Sequence, residues 1–221
     1  MLANNLANAS TSGYKTDREA YGLYAASEAV ADSFAATMPV VEREWTDFSP
    51  GTVRPTGNPL DLAIDGAGFF GVNAPGGTLY TRNGAFQLLA DGSLATADGY
   101  AVRGTGGAAI KLDPTRPFEV LPDGSVKQNG QTAGKIELVD FAVTSALFKQ
   151  RGTYFRAGAA PQAASSARVG QGKLENSNVG AAESAVRLIS VLRQFEMLQK
   201  AISLGSEMDR HAVEDVARVG S

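Results

Sequence analysis

The hydrophobic positions near the start of the chain are spaced differently from those that follow. Leu2 and Leu6 are four residues apart, which indicates a short helix that ends before Gly13. Residues 14–38 are rich in alanine without a clear period, so we expect an extended or partly helical connector there. We therefore assign residues 1–13 to the end of an N-terminal helix and the segment that follows it.

Short apolar runs separated by Asp-Gly and Asn-Gly pairs fill residues 39–155. Such pairs supply the positive φ angles of tight turns, so this block is predicted to be a mostly antiparallel β domain that folds without either terminus. Two similar segments, ADGSL at 90–94 and PDGSV at 122–126, indicate repeated hairpin chemistry rather than a repeat architecture. The pairs begin at Asp65, Asn83, Asp91, Asp98, Asp123 and Asn129.

The last part of the chain changes character twice. Residues 156–172 are rich in Ala, Gly, Ser and Gln, which is typical of a linker. Residues 173–221 carry apolar side chains at alternating spacings of three and four, which predicts a C-terminal helix with a narrow coiled-coil-type stripe. We expect this stripe, the assembly seam, to pack against a partner helix; packing on the chain's own β domain is the alternative. The assembly seam consists of Leu188, Val191, Phe195, Leu198 and Ile202.

Composition limits the chemistry that the chain can perform. A net charge of -3 and a pI near 5.3 argue against nucleic acid as a partner, because that partner needs clustered basic residues. The sequence has no cysteine and one histidine, His211, which we expect to be solvated. No segment has the ~18 consecutive apolar residues of a membrane span, and no cleavable signal pattern is visible. We therefore expect neither membrane insertion nor signal cleavage.

One glycine pattern resembles a dinucleotide-binding loop. Gly66, Gly68 and Gly71 follow an apolar run in the order G-x-G-x-x-G. That loop requires a helix opening at the third glycine, but the sequence continues with Pro75 and further Gly pairs that disfavour a helix. We interpret the stretch as a turn at Asp65-Gly66 between two strands, and we expect no cofactor.

Acidic and nucleophilic side chains do not form a recognisable catalytic pattern either. Asp61 and Asp65 on one strand would be roughly 13 Å apart, too far for a glycosidase pair without a bend. The sequence contains no G-x-S-x-G, H-E-x-x-H, P-loop or calcium-loop pattern. We predict no catalytic residue and no metal site, with a nucleotide-dependent oxidoreductase and a β adhesin with a coiled-coil tail as alternatives from other classes.

Three motifs, spread over nearly the whole chain, resemble the signatures of one family. The first motif is ANNLANASTSGYK, at 3–15; the second is TGNPLDLAIDGAGFF, at 56–70, with YTRNGAF, at 80–86. The third motif is QGKLENSNV, at 171–179, which is similar to the segment that introduces the C-terminal helix of the rod and hook subunits. On these motifs the chain is identified as a member of the hook–basal-body axial family of the bacterial flagellum. The family-motif residues are Asn4, Asn5, Leu6, Asn8, Gly13, Tyr14, Lys15, Thr56, Gly57, Asn58, Gly66, Gly68, Phe69, Phe70, Tyr80, Thr81, Arg82, Gly84, Leu174, Glu175, Ser177, Asn178, Val179, Arg193 and Glu196.

The resemblance implies a structural subunit of the flagellar basal-body rod, the drive shaft that transmits torque from the motor to the hook. It implies a mainly β domain with N- and C-terminal α-helical extensions that pair in a coiled-coil-like layer on assembly. The implied partners are other rod subunits and the flagellar type III export apparatus, which would move the chain from the cytoplasm to the rod crossing the periplasm without a cleaved signal. It also implies a longer helix ahead of residue 3, of which this sequence holds only the end.

Two segments bear on the position within the rod. LRQFEMLQK, at 192–200, is typical of the proximal-rod member, whereas the distal-rod member usually carries R-A-Y-E there. The stretch at 134–141 and the segment ALFKQRGTYF, at 146–155, lack the N-x-x-G-L run expected of the distal-rod member. We therefore expect a proximal-rod subunit, with a distal-rod or other axial protein as the alternative.

Overall fold

The computed structural model describes residues 1–25 and 37–219 and consists mainly of β-strands, with a short helix at the N-terminus and a long helix at the C-terminus. The predicted fold class, a mainly β domain with helical extensions at both ends, is confirmed at this level. The helices are α1 (Leu2–Ala7) and α2 (Ala181–Val219), with a 3₁₀ turn at Thr144–Ala146. The strands are β1 (Thr16–Ala25), β2 (Thr37–Asp47), β3 (Val53–Pro55), β4 (Leu62–Asp65), β5 (Phe69–Ala74), β6 (Gly77–Thr81), β7 (Phe86–Leu88), β8 (Leu94–Thr96), β9 (Ala101–Val102), β10 (Phe118–Val120), β11 (Ser125–Gln128), β12 (Gln131–Lys135), β13 (Leu138–Asp140), β14 (Leu147–Arg151), β15 (Tyr154–Ala157), β16 (Gln162–Ala163), β17 (Arg168–Gln171) and β18 (Lys173–Glu175).

Asp-Gly and Asn-Gly pairs form turns as their chemistry predicts. Asn129 and Gly130 join β11 to β12 with φ angles of 53° and 76°, both positive as a type I′ hairpin requires. Gly84 has a different reason to be glycine, because a Cβ atom there would overlap the carbonyl oxygen of Leu62. Positive φ angles also occur at Gly66, Gly92, Gly99 and Gly124.

The two DGS turns are built alike, and the similarity extends beyond them. The Asp91 carboxylate accepts hydrogen bonds from the Ser93 amide at 3.0 Å and hydroxyl at 2.8 Å. Asp123 accepts the same two bonds from Ser125, at 3.1 and 2.8 Å. Each turn lies in a three-stranded antiparallel meander, β7-β8-β9 in one case and β10-β11-β12 in the other. The repeated unit is therefore a meander, larger than the single turn that the sequence indicated.

Strand β5 is buried on both faces, which explains its adjacent phenylalanines. Side chains alternate across a strand, so Phe70 points into the main core and Phe69 into a second, aromatic cluster. Phe69 packs edge-on against Phe155, with ring centroids 6.0 Å apart. Tyr80 and Phe141 belong to the same aromatic cluster. The second motif thus supplies the centre of the β domain.

The predicted linker at 156–172 belongs to the β domain and contains β16 and β17. Strand β17 pairs antiparallel with β4, and Val169, opposite Ile64, is buried in the main core. Ala164 is an example of the close packing that small residues in this range permit. Its Cβ atom approaches Gly68 so closely that a Cβ atom added to that glycine would lie only 3.0 Å away. The composition that suggested flexibility therefore reflects tight contact.

The predicted connector and C-terminal boundaries also differ from the structure. Within 14–38, β1 is a strand that pairs with β2, and residues 26–36 lie outside the described residues. The range 39–155 therefore begins inside this hairpin and stops before β17. The range 173–221 begins with β18, which pairs with β3, so the helix starts only at Ala181. Long-range strand pairing, which has no local sequence signal, accounts for these differences.

Candidate functional site at the motif junction

The three motifs meet at one buried cluster of charged side chains. Lys15 closes the first motif, Arg82 lies in the second and Glu175 in the third, and their exposed fractions are 0%, 5% and 1%. We call Lys15, Arg82 and Glu175 the motif junction. It lies where the N-terminal segment leaves the β domain and just before the chain enters α2, so it connects both helical extensions to the sheet.

Glu175 is the centre of the motif junction. Its Oε1 atom lies 2.5 Å from Lys15 Nζ and accepts a hydrogen bond from the Gly51 amide at 2.9 Å. Its Oε2 atom accepts a hydrogen bond from Arg82 Nη1 at 3.3 Å. The backbone carbonyl of Glu175 accepts a further bond from the Gly13 amide at 2.8 Å. One residue therefore holds all three motifs together.

The two cations have further partners on backbone carbonyls. Lys15 Nζ donates to the carbonyl oxygen of Ser49 at 2.8 Å. Arg82 donates from Nη2 to Gly66 O at 2.6 Å and from Nη1 to Ile64 O at 3.2 Å, so it fixes the bend that follows β4. Within the described residues, Arg82 Nε has no hydrogen-bond partner. The junction is thus almost fully satisfied.

Burial changes the acidity of both cations. Desolvation lowers the pKa of Lys15 and the pKa of Arg82, because removal from water disfavours the charged form. The Glu175 carboxylate opposes this effect at both sites by favouring the charged forms. With two cations and one anion, the junction carries an excess positive charge within the buried cluster.

A second polar cluster holds α1 against the start of β1. Asn5 is the buried residue of α1, and its amide donates to Asp17 O at 2.8 Å and accepts from Asp17 N at 3.0 Å. The hydroxyl of Tyr14 donates to Asn5 Oδ1 at 3.1 Å. Lys149 Nζ lies 2.8 Å from both carboxylate oxygens of Asp17 and 4.0 Å above the Tyr14 ring. Asp17 and Lys149 were not singled out from the sequence, since only the fold brings them to the motif.

Asn178 fixes the segment immediately before α2. Its side-chain oxygen accepts hydrogen bonds from the amide and the hydroxyl of Thr16, both at 2.8 Å. Its side-chain nitrogen donates to Asp47 O at 2.8 Å and to Ser49 O at 3.0 Å. Ser177 accepts a bond from the Val179 amide at 3.2 Å. Asn178 therefore attaches the α2 entrance to the base of the β1–β2 hairpin, and Ser177 stabilises the turn of the entrance itself.

Several further motif residues pack within the β domain or form its turns. A Cβ atom on Gly13 would overlap the backbone of Arg82 and Asn83, so the first motif lies directly on the second. Leu174 is buried, and the Thr56 amide donates to Gly172 O at 2.8 Å. The motif signal thus marks the places where chain segments from different motifs touch.

The assembly seam lies on α2 and is largely exposed. Leu188 is half-buried, and exposure rises from 47% at Val191 to 72% at Ile202. All described side chains from residue 189 to residue 208 are exposed, including Arg193 and Glu196, and α1 contacts α2. The structure therefore leaves the seam uncovered in the single chain.

A second apolar stripe on α2 was not predicted from the sequence. At about 100° per residue it lies about 145° around the helix from the assembly seam. Its side chains are 52% to 72% exposed. The spacing of seven residues from Met197 to Leu204, and of four from Leu204 to Met208, is a signal by which the sequence could have revealed this stripe. We call this set the second stripe: Val186, Met197, Leu204 and Met208.

The dinucleotide pattern has no helix behind it. Gly66 and Gly68 have φ angles of 96° and 138° and form a bend, and Gly71 lies inside β5. Residues 1–25 and 37–219 contain no His, Asp and Glu cluster that could hold a metal ion. None of the helices in these two ranges combines the length and the apolar character that crossing a bilayer requires. His211 is exposed on α2.

Two family models match the chain. The model described as flagellar hook protein FlgE/F/G D1 domain matches residues 63–132. The model described as flagellar basal body rod FlgEFG protein C-terminal matches residues 171–214. Their names refer to structural parts of the flagellum and to no catalytic domain. The matches cover the strands from β4 into β12, and the chain from β17 through most of α2.

Relatives of known identity match over most of their length. The chain is 35% identical to the flagellar basal-body rod protein FlgF of Caulobacter vibrioides, over 99% of this chain and 91% of the relative. It is 32% identical to FlgF of Mesorhizobium japonicum, over 88% and 81%. It is 31% identical to the flagellar basal-body rod protein FlgG of Bacillus subtilis, over 94% and 89%. The chain therefore belongs to the flagellar basal-body rod protein family, as a structural subunit of the rod.

Proposed function

We propose that this chain is a proximal-rod subunit whose α2 helix packs against helices of neighbouring rod subunits through the assembly seam. The observation that carries the proposal is the exposure of the seam: Val191, Phe195 and Ile202 are apolar, and each is about half exposed or more. Burying such a side chain stabilises a structure by roughly 1.5–3 kcal/mol relative to leaving it exposed. An apolar stripe of this length on a structural subunit supports an assembly contact.

The second stripe extends this proposal to a helix with neighbours on two sides. A helix that packs on one partner carries one apolar stripe with polar residues opposite. Here Met197 and Leu204 lie nearly opposite the assembly seam, and their exposed fractions fall within the range of the seam residues. We expect α2 to lie between two helical neighbours in the rod, which would form the coiled-coil-like layer.

The proximal position and the export route are parts of the same proposal. The segment at 192–200 and the identity to two FlgF relatives support the proximal position. Export through the flagellar type III apparatus, without a cleaved signal, is the route that the family resemblance implies. The absence of cysteine fits a chain that is exported unfolded, since no disulfide has to form afterwards.

The assembly contact is tested by Phe195→Asp in cells whose only copy of this protein carries the substitution. A carboxylate on the seam would have to be desolvated in the packed layer, so rods should not form and the cells should not swim. Ser203→Asp, which lies off both stripes, is the matched control and should swim. The melting of the β domain in the purified full chain should be unchanged by Phe195→Asp. Normal swimming with intact rods in Phe195→Asp cells would contradict the proposal.

The proximal position has a separate test. Cells that lack this protein should yield basal bodies whose proximal rod is absent or incomplete, with neither a distal rod nor a hook. Basal bodies that carry a complete proximal rod but no distal rod would instead place the protein in the distal rod. Electron microscopy of purified basal bodies distinguishes the two results.

A further inference from the structure

The direction of α2 is decided at its base. The helix has 39 residues, and beyond Leu188 its described side chains are exposed up to residue 208. It is about 58 Å long at 1.5 Å per residue, so a change of about 10° at the base moves its far end by about 10 Å. Any group that fixes the angle at the base therefore fixes where the assembly seam and the second stripe lie.

The motif junction lies just before this base and is built from directional contacts. Glu175 lies shortly before Ala181, where α2 begins, and both of its carboxylate oxygens are engaged by other segments. Lys15 lies between α1 and β1 and donates to Ser49 O as well as to Glu175. Each hydrogen bond restricts distance and angle together, whereas apolar contact restricts mainly distance.

Stability alone does not account for three buried charges in this place. Removing ions from water costs several kcal/mol per ion, and well-packed apolar residues of similar volume are often neutral or stabilising replacements. The lowered pKa values of Lys15 and Arg82 have desolvation as their largest cause. In some proteins a buried polar or ionic group instead selects one arrangement among several.

We infer that the motif junction sets the direction in which both helical extensions leave the β domain, and that its charges add no net stability over apolar residues of similar volume. This inference goes beyond membership in the rod and does not depend on the proposed contacts of α2. It assigns Lys15, Arg82 and Glu175 the role of positioning residues for α1 and α2.

The test uses the full chain in solution. Because the sequence has no cysteine, spin labels can be placed at Thr132→Cys on β12 and Ser190→Cys on α2, both exposed positions. The label at residue 190 reports the base of the helix, so fraying of its far end does not affect the measurement. Pulsed electron paramagnetic resonance then gives the distribution of distances between the two labels.

The decisive variant replaces the junction by apolar residues: Lys15→Met, Arg82→Met and Glu175→Leu together. We expect a broader distance distribution and a melting temperature that is unchanged or higher. The control removes an exposed ion pair, Asp113→Leu with Arg116→Met, whose parent distance is 3.1 Å, and should leave the distribution unchanged. An unchanged width in the junction variant, or a fall in melting temperature larger than that of the control, would overturn the inference.

If the triple replacement does not fold, the claim about net stability is overturned, and a second variant decides the separate question of direction. Arg82→Met alone leaves the charge-balanced Lys15–Glu175 pair but removes the ion pair between Arg82 and Glu175. The distance distribution should again broaden. A distribution as narrow as that of the parent would show that packing fixes the angle without the junction, which would overturn the inference.

Discussion

The Nζ atom of Lys15 lies 2.5 Å from the Oε1 atom of Glu175, although the two residues are separated by 160 positions in the chain. Both side chains are fully buried. The segment that follows α1 and the segment that precedes α2 therefore depend on each other, since removal of Glu175 leaves the buried Lys15 ammonium without an anion, and removal of Lys15 leaves Glu175 with Arg82 as its remaining cation. The two ends of the chain are joined to the β domain as one unit.

Glu175→Ala should strongly destabilise the protein. The substitution leaves the buried cations of Lys15 and Arg82 without their anion, which typically costs about 3–5 kcal/mol for a buried pair. The free energy of unfolding, measured by urea denaturation, should fall by that amount. Glu119→Ala, at an exposed position on β10, is the control and should cost less than about 0.5 kcal/mol. Equal effects of the two substitutions would contradict the central role of Glu175.

Gly13→Ala should cost more than Gly99→Ala. Both glycines have positive φ angles, 68° and 82°, so the backbone penalty of roughly 1–2 kcal/mol applies to both. Only at Gly13 would the new Cβ atom overlap the backbone of Arg82, whereas nothing lies within 4 Å at Gly99. The comparison of the two unfolding free energies therefore isolates the contact between the first and second motifs. A difference near zero would mean that this contact adjusts without cost.

Leu204→Asp tests the second stripe. If α2 has neighbours on two sides in the rod, this carboxylate would be desolvated there, and rod assembly should be lost. Ser203→Asp at the adjacent position, off both stripes, should assemble normally. The readout is recovery of intact rods from cells that carry each variant. Intact rods with Leu204→Asp would restrict the packed surface to the assembly seam.

Tyr154 should make the protein less stable at high pH. Burial, with the neighbouring Asp98 carboxylate, raises the pKa of Tyr154 above its usual 10.0. The unfolded state therefore loses this proton from about pH 10, whereas the folded state retains it, so the stability from this group falls by up to about 1.4 kcal/mol per pH unit.

Tyr154→Phe should reveal this contribution. At pH 8 the variant should be less stable by about 1 kcal/mol, because the 2.6 Å hydrogen bond to Asp98 is lost. Between pH 10 and pH 12 the difference between parent and variant should shrink and then change sign, because only the parent loses up to about 1.4 kcal/mol per pH unit from this group. Urea denaturation at several pH values measures this difference in unfolding free energy. The contributions of lysines with lowered pKa values cancel, because both proteins contain those lysines. A constant difference would contradict the raised pKa.

The limits of the β domain give a further test. A fragment of residues 39–155, the range that the sequence indicated, lacks β17 and β18 and so leaves β4 and β3 without their partners. It should show no cooperative unfolding. A fragment of residues 1–180 keeps both pairs and the motif junction, and it should unfold cooperatively with a strand signal in circular dichroism. Cooperative unfolding of the shorter fragment would show that these pairs are dispensable.

The sequence alone was sufficient for features with a local cause. The Asn129-Gly130 turn follows from the φ angles that its residues tolerate, and α2 follows from apolar spacings near the helical period. The three motifs were enough to identify the family that the comparisons then matched. The seam on α2 was also visible in the sequence, although its packing in the rod is a proposal.

Only the tertiary structure decided what the motifs do for one another. Lys15, Arg82 and Glu175 meet because strands from distant parts of the chain pair, and such pairing has no local signature in the sequence. The alanines and glycines of 156–172 looked like a linker because a small side chain serves flexibility and close packing equally well. Burial resolves that ambiguity. Val169 is buried in the main core, and the small residues around it allow this segment to pack closely against that core.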